Sequence, residues 1–304
     1  QGMIKHLLHH EIDKTQWDAL LLRCPDRLWY MQSWVLDLCC PQWEALVGDD
    51  GSIMPLLWRR KFGIDYLFQP YAVQQQGVFS PLRDERLDTQ FLDAVPARFK
   101  YWDIHLNAHM YVRATTDDRV ISNTDQDLLL QADASALRAA YSQGHRRNLR
   151  KCGDDPPVIL CDITVHDFME LFAKTTGKRF KNIPTEGLPL LERMLLSGIE
   201  RKQCTILGVR DQGAPVAAVC FMEWEGRSIL LKSANDAVGA EKQAMFHLID
   251  RYISDHAGSG LLLDFAGSNT PSVARFNAGF GARSTVYLHL VRNRLPAPLR
   301  WFKR

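Results

Sequence analysis

The sequence lacks the cysteine spacings that define metal and redox sites. Its seven cysteines are an odd number, and none forms a Cys-x-x-Cys pair. Cys39 and Cys40 are adjacent, but they lie in an apolar pattern typical of a helix. Buried free thiols are the ordinary state of cysteine in a reducing compartment. We therefore expect a cytoplasmic protein that holds no metal.

Long hydrophobic runs are also lacking. No apolar run reaches the roughly 18 residues that a membrane span requires. The start of the chain is polar and rich in histidine, unlike a secretory signal peptide. Gln1 and Gly2 before Met3 are typical of residues left after tag removal, so the natural chain is expected to begin at Met3. These absences predict a protein with no membrane span.

The motifs of several enzyme classes are missing as well. The sequence contains no Walker loop, no zinc-ligand spacing, no Gly-x-Ser-x-Gly elbow and no dinucleotide fingerprint. Its 304 residues, 46% hydrophobic and 24% charged, are typical of a globular protein with one large or two medium domains. The net charge of +2 does not by itself indicate a nucleic-acid partner.

Two strand–turn–strand patterns indicate an internal repeat. Residues 45–58 and 206–221 each contain two apolar stretches joined by an Asp/Gly turn, and each pattern follows helical segments. We predict an N-terminal domain at 3–132, a helical connection at 133–157 and a C-terminal domain at 158–304. The connection ends in a proline pair, which cannot continue a helix.

The stretch 261–282 is the most informative part of the chain. An apolar strand ends in Asp264, a polar turn follows, and a short helix begins near Pro271. Ser268 or Asn269 is suited to cap this helix, and glycines bracket its end. A strand end that faces a helix start exposes backbone N–H groups and polar side chains, which is typical of a binding site.

This stretch resembles the GNAT acyltransferase superfamily, and within it the Fem-like branch related to peptidoglycan aminoacyltransferases. The resemblance rests on the Asp-Phe-x-Gly-Ser strand end at 264–268 and the Phe-Gly-Ala helix exit at 280–282. It implies an α/β fold with two GNAT-like domains in tandem, each with a mixed central sheet flanked by helices. It also implies transfer of an acyl or aminoacyl group to an amine, from a thioester such as acyl-CoA or from aminoacyl-tRNA.

Two residues are predicted to be catalytic. Asp264 is the candidate base towards an attacking amine, and Ser268 the candidate orienting hydroxyl. The alternative is that Asp264 accepts turn amides and that Ser268 only caps the helix. The resemblance leads us to expect a proton-donating tyrosine on the following helix, where this sequence has Phe276.

A donor-binding loop is expected between a strand and the next helix, where GNAT enzymes hold the pyrophosphate of acyl-CoA on backbone amides. Only Gly239 matches the family pattern, and the acids Asp236 and Glu241 stand near it. The alternative is an ordinary helix N-terminus, and these departures also favour a GNAT-derived ligand-binding or scaffold protein without catalysis. The residues predicted to contact the donor are Ser233, Ala234, Asn235, Val238, Gly239 and Ala240.

Substrate contacts are predicted mainly from basic and amide side chains. A basic run at 141–151 resembles a Fem-family feature and suits an anion such as a substrate phosphate or a tRNA backbone, or else a solvated helix. No long heptad run is present, which weakens the tRNA alternative. The acceptor is expected to be a small molecule or a cell-wall precursor. The predicted contacts are Gln75, Arg146, Arg147, Arg150, Lys178, Arg179, Lys232 and Asn269.

Overall fold

The computed structural model describes residues 2–152, 155–160, 162–179, 183–267 and 269–300. Its strands are β1 (Ile4–Leu7), β2 (Glu44–Gly48), β3 (Ile53–Leu56), β4 (Trp58–Lys61), β5 (Ile64–Leu67), β6 (Phe99–His105), β7 (Asp118–Leu129), β8 (Cys204–Asp211), β9 (Ala214–Trp224), β10 (Arg227–Asn235), β11 (Leu262–Asp264) and β12 (Arg283–Asn293). Its α-helices are α1 (Lys14–Leu22), α2 (Ser33–Cys39), α3 (Glu85–Ala94), α4 (Ala134–Ala139), α5 (Gln143–Arg150), α6 (Val165–Lys174), α7 (Thr176–Arg179), α8 (Gly187–Glu200), α9 (Ala237–Glu241), α10 (Ala244–Asp255), α11 (Pro271–Ala278) and α12 (Ala297–Arg300).

The chain forms two compact units. Unit 1 contains residues 1–123 and 286–304, and unit 2 contains residues 124–285. These limits differ from the predicted ones because β12 pairs antiparallel with β6, which brings the end of the chain back to the N-terminal unit. No helix among the described residues is long and apolar enough to cross a bilayer.

Unit 1 contains two sets of paired strands. Strands β1, β2 and β3 form an antiparallel sheet, and β4, β5, β6 and β12 follow one another as neighbours in a second set. A cluster of fully buried side chains lies among them. Its larger members are Leu46, Met54, Leu56, Phe91, Phe99, Trp102, Ile104, Leu106 and Leu290.

Unit 2 is built on five neighbouring strands in the order β7, β11, β10, β9, β8. Strands β8, β9 and β10 form antiparallel hairpins, whereas β11 runs parallel to β10 and antiparallel to β7. Helix α10 covers one face of β9, where the rings of Phe221 and Tyr252 stack with their centroids 3.6 Å apart. Unit 2 is therefore a mixed sheet with packed helices, as the sequence predicted.

Candidate functional site

In unit 2, strand β10 continues beyond the end of β11. The two strands pair over only three positions, of which the last joins Ile229 to Asp264. Strand β10 then continues from Leu230 to Asn235, and among the described residues no strand pairs with this second half on the β11 side. Unpaired strand edges present backbone N–H and C=O groups to a ligand. We call the second half of β10, residues 230–235, the open half of β10.

A β-bulge at the start of the open half sets the direction of Lys232. The register on β9 shifts between Leu230 and Lys232, so Leu231 is an extra residue and Lys232 lies opposite Cys220. Ile229 lies opposite Met222 on β9, and Met222 is two residues from Cys220, so their side chains lie on the same face of the sheet. Since residues opposite each other share a face, the bulge places Lys232 on the face that carries Asp264.

Polar groups are concentrated along the open half of β10. Lys232 is partly buried, and burial lowers the pKa of its ammonium group. The carbonyl oxygen of Ser233 accepts a hydrogen bond from the Thr176 hydroxyl at 3.0 Å. The amide oxygen of Asn235 is buried and has no hydrogen-bond partner among the described residues. Lys232 and Asn235 are three residues apart, so their side chains lie on opposite faces of the sheet, and Ala234 between them is buried.

The predicted donor-binding loop does not present its amides. The carboxylate of Asp236 accepts a hydrogen bond from the Gly239 amide at 2.9 Å and so caps α9. A Cβ atom at Gly239 would lie 2.4 Å from the Val216 carbonyl oxygen, so close packing on β9 requires this glycine. Val238 and Ala240 are exposed. The donor role predicted from Gly239 is not supported by this geometry.

Asp264 is a buried, ion-paired turn residue. Its side chain is 0% exposed, one oxygen accepts the Ala266 amide at 2.9 Å, and the other lies 2.5 Å from Arg227 Nη2. Ala266 and Gly267 follow with positive φ angles of 48° and 61°. Because both oxygens are engaged and solvent is excluded, the geometry supports the capping alternative and not the base predicted from the sequence.

The neighbouring turn also differs from the prediction. The Asn269 side-chain oxygen accepts a hydrogen bond from the Thr124 amide at 2.9 Å. This oxygen therefore stabilises the turn, whereas the sequence predicted that Asn269 contacts substrate. Ser268 lies outside the described residues. Asp127, which sequence reasoning missed, lies opposite Asp264 on β7, and burial raises the pKa of its carboxyl group.

The arginines predicted to contact substrate lie on helix α5, and His145 of the same helix anchors it to α11. His145 is buried, and its Nε2 atom donates to the Phe276 carbonyl oxygen at 2.8 Å. Arg146, Arg147 and Arg150 are exposed, and no ion pair with a carboxylate is found for them in the described part of the chain. Arg146 donates to the Ala139 carbonyl oxygen at 2.8 Å and Arg150 to the Arg146 carbonyl oxygen at 3.2 Å. The helix therefore carries a cationic face available to an anion.

Phe276 is partly buried and packs against the core cluster of unit 2. Its ring centroid lies 5.0 Å from that of Phe246 and 5.3 Å from that of Phe280. A hydrocarbon ring in this position cannot protonate a leaving group. Chemistry in unit 2 therefore has no proton donor at the place where the family resemblance leads us to expect one.

Other predicted contacts are placed as follows. Lys178 lies on α7, where Arg179 is the last residue.

In unit 1, Gln75 is buried and its side-chain oxygen accepts the Ala108 amide at 2.9 Å. The neighbouring Gln76 donates to the Phe68 carbonyl oxygen at 3.0 Å. The glutamines of this segment therefore hold loops together, which corrects the prediction that Gln75 contacts substrate.

Among the described residues, no group of three or more histidine, cysteine or acidic side chains is arranged to hold a metal ion. No protein-family model and no curated protein sequence matches the chain.

Solved structures resemble the chain over nearly its full length. FemX aligns with a TM-score of 0.65 at 12% identity, covering 98% of this chain and 99% of that one. A tandem GNAT protein from the clavulanic acid biosynthesis pathway aligns with a TM-score of 0.54 at 11% identity, covering 97% and 100%. The C-terminal domain of a putative lysylphosphatidylglycerol synthetase from Agrobacterium fabrum gives 0.53 at 12% identity, covering 95% and 94%.

These likenesses define the class of fold. The chain is a mixed α/β protein with the architecture of tandem GNAT proteins. The GNAT/Fem-like fold predicted from the strand end at 264–268 is therefore confirmed.

Proposed function

We propose that this protein is an acyltransferase that moves an acyl or aminoacyl group onto an amine at the open half of β10. The observation that carries the proposal is the stretch of β10 that continues unpaired beyond the end of β11, in a fold shared with FemX and a tandem GNAT protein. Backbone amides of an unpaired strand can hold the carbonyl group of a donor. They are fixed before the reaction and can stabilise the oxyanion that forms when an amine attacks. When this intermediate collapses, the ester or thioester bond to the donor breaks, and the proton lost by the amine passes to the departing oxygen or sulfur.

Lys232 is the side chain to which we assign the largest role. The bulge directs it to the face of Ile229 and Asp264, and burial lowers its pKa. A partly desolvated ammonium donates a strong hydrogen bond to an oxyanion, because its charge is poorly screened. The remaining catalysis comes from positioning the two reactants.

The donor is proposed to be aminoacyl-tRNA in preference to acyl-CoA. The carboxylate of Asp236 occupies the Gly239 amide, and a negative charge there opposes a pyrophosphate. The arginines of α5 offer a surface for a phosphate backbone. The name lysylphosphatidylglycerol synthetase describes an aminoacyl group joined to a lipid, which is chemistry of the same kind. The acceptor is proposed to be an amine on a small molecule or cell-wall precursor, and the reaction is proposed to take place in the cytoplasm.

A transfer assay with the full chain tests this proposal. Labelled aminoacyl-tRNAs and acyl-CoAs are incubated with a panel of amine acceptors, and product formation is followed with and without protein. The Lys232→Met variant should lower the transfer rate about 100-fold, the usual loss for one oxyanion donor. Lys174→Met is the matched control, because Lys174 is exposed on α6.

Two results would contradict parts of this proposal. Donor binding without turnover by the unmodified protein would favour the non-catalytic alternative. Equal rates for the two lysine variants would remove Lys232 from the mechanism while leaving transfer itself established.

A further inference from the structure

The β4–β5 hairpin of unit 1 ends in an exposed aromatic residue. Lys61 pairs with Ile64, so Phe62 and Gly63 alone form the turn. Both have positive φ angles, 51° and 75°. Glycine and asparagine are the residues favoured in such turns, and a bulky side chain is disfavoured. Phe62 is nevertheless present, and it is 91% exposed.

An apolar pocket adjoins this turn. Its volume is about 390 Å³. It is lined by Lys61, Phe62, Ile64, Tyr66, Tyr101, Leu295 and Leu299. We call these residues the tip patch. Leu299 is itself 40% exposed. Exposed apolar surface next to a pocket marks an interaction site more often than isolated exposed residues do.

The β4–β5 hairpin that carries Phe62 is rich in basic residues. Residues 58–67 contain three basic side chains, Arg59, Arg60 and Lys61, and one acidic side chain, Asp65. Asp65 is buried and bound by Arg60 at 2.6 Å. Lys61 is exposed, with its ammonium 5.5 Å from the centre of the Phe62 ring. The cation close to the aromatic tip is therefore Lys61, while Arg60 is paired with Asp65 and Arg59 lies over the Phe68 ring.

We propose that the tip patch docks this protein on the surface of a bilayer that contains anionic lipids. An aromatic side chain projecting from a two-residue turn can enter the boundary between headgroups and acyl chains, and flanking cations bind anionic headgroups. The pocket wall is formed by side chains that accept hydrocarbon and offer few directional hydrogen bonds, which suits lipid better than a specific protein ligand. This inference concerns unit 1 and does not depend on the proposed transferase activity.

Vesicle co-sedimentation with the full chain tests the proposal. Vesicles of phosphatidylcholine containing phosphatidylglycerol should bind the protein, and vesicles of phosphatidylcholine alone should bind it much less. Raising the salt from about 0.1 M to about 0.5 M should weaken binding, because screening shortens the reach of the charges. Phe62→Asn should weaken binding at least about tenfold, the scale expected for losing one buried aromatic side chain. Asparagine suits this turn, so the variant should keep its fold.

Control variants distinguish binding through the tip patch from nonspecific adsorption of the protein to vesicles. Leu82→Ser removes another exposed apolar side chain of unit 1, which is 85% exposed, and should bind as before. Lys61→Glu should weaken binding, whereas Arg86→Glu on α3 should not. Failure to bind phosphatidylglycerol vesicles at low salt overturns the proposal, and so does undiminished binding by Phe62→Asn. Self-association that Phe62→Asn abolishes, without vesicle binding, would assign the patch to a second copy of the chain and also overturn it.

Discussion

The imidazole ring of His145 occupies the place where a side chain on Gly279 would begin. A Cβ atom at Gly279 would lie 1.9 Å from the His145 Cε1 atom. The amide of Ser142 also donates to the Gly279 carbonyl oxygen at 2.8 Å. The start of α5 is therefore locked to the end of α11, and the arginines of α5 are carried by a helix with a fixed position in unit 2.

Gly279→Ala should destabilise the protein by about 2 kcal/mol, because an inserted methyl group must displace the His145 ring. Gly279 has φ −62°, so the backbone itself accepts alanine. Denaturant unfolding measures the change. Gly144→Ala is the matched control on α5, since its Cβ would meet nothing closer than 3.8 Å, and it should be neutral or slightly stabilising.

The double variant with His145→Ala decides whether this contact is the cause. Removing the ring should relieve most of the cost of Gly279→Ala, so the two changes should couple strongly. Simple additivity of the two losses would contradict the packing account.

His105 should make stability fall as the solution becomes acidic. Burial and the neighbouring His289 lower the pKa of His105 from 6.5 to about 4. Between these values the unfolded chain binds a proton that the folded chain does not, so stability decreases as pH falls through this window. The full effect on the free energy of unfolding is roughly 3 kcal/mol, because a pKa difference of one corresponds to about 1.4 kcal/mol.

Urea unfolding at several pH values between about 7 and 4.5 tests this sign. His105→Gln should flatten the pH dependence in that range, whereas His166→Gln, at an exposed position, should leave it unchanged. A variant at position 105 that keeps the unmodified protein's slope would show that other groups cause it.

Asp236→Ser should increase affinity for coenzyme A. Serine retains the ability to cap α9, so stability should change by less than about 1 kcal/mol. The variant removes the charge that opposes a pyrophosphate near Gly239. Isothermal titration with coenzyme A should show little binding to the unmodified protein and tighter binding to the variant. Tight binding of coenzyme A by the unmodified protein would instead show that the loop at 233–240 can hold a thioester donor.

The arginines of α5 should bind a phosphate backbone. Arg147→Glu with Arg150→Glu should weaken tRNA binding and reduce the slope of log K against log salt by about 0.9 for each phosphate that the variant no longer neutralises. Fluorescence anisotropy at several salt concentrations measures both. Arg193→Glu, on the exposed face of α8, is the control. An unchanged slope in the double variant would mean that this helix binds no phosphate.

The apolar strands of unit 2 were predictable because burial on both faces leaves a clear hydrophobic pattern. The predicted strand–turn–strand pattern at 206–221 corresponds to β8 at Cys204–Asp211 and β9 at Ala214–Trp224. Strand β7 gives no such pattern. Its first seven residues are exposed or partly exposed and mostly polar, so hydrophobic alternation is absent from them.

The site was less predictable because its determinants are distant in sequence. Asp264 was singled out correctly as a strand-end acid, but its partner Arg227 lies 37 residues earlier. The tight space around Gly239 comes from Val216, on another strand. The bulge that directs Lys232 depends on register with β9, which the sequence of β10 alone does not specify. Local motifs therefore predicted a site in this region, and the hydrogen bonds and packing of its residues depend on tertiary contacts.

The most direct test of the central claim is a crystal structure of the protein with a stable analogue of an aminoacylated tRNA terminus. The analogue's carbonyl oxygen should lie within hydrogen-bonding distance of backbone amides in residues 230–235, with the Lys232 ammonium close to it. An analogue bound elsewhere in unit 2, with the open half of β10 unoccupied, would show that this strand edge is not the transfer site.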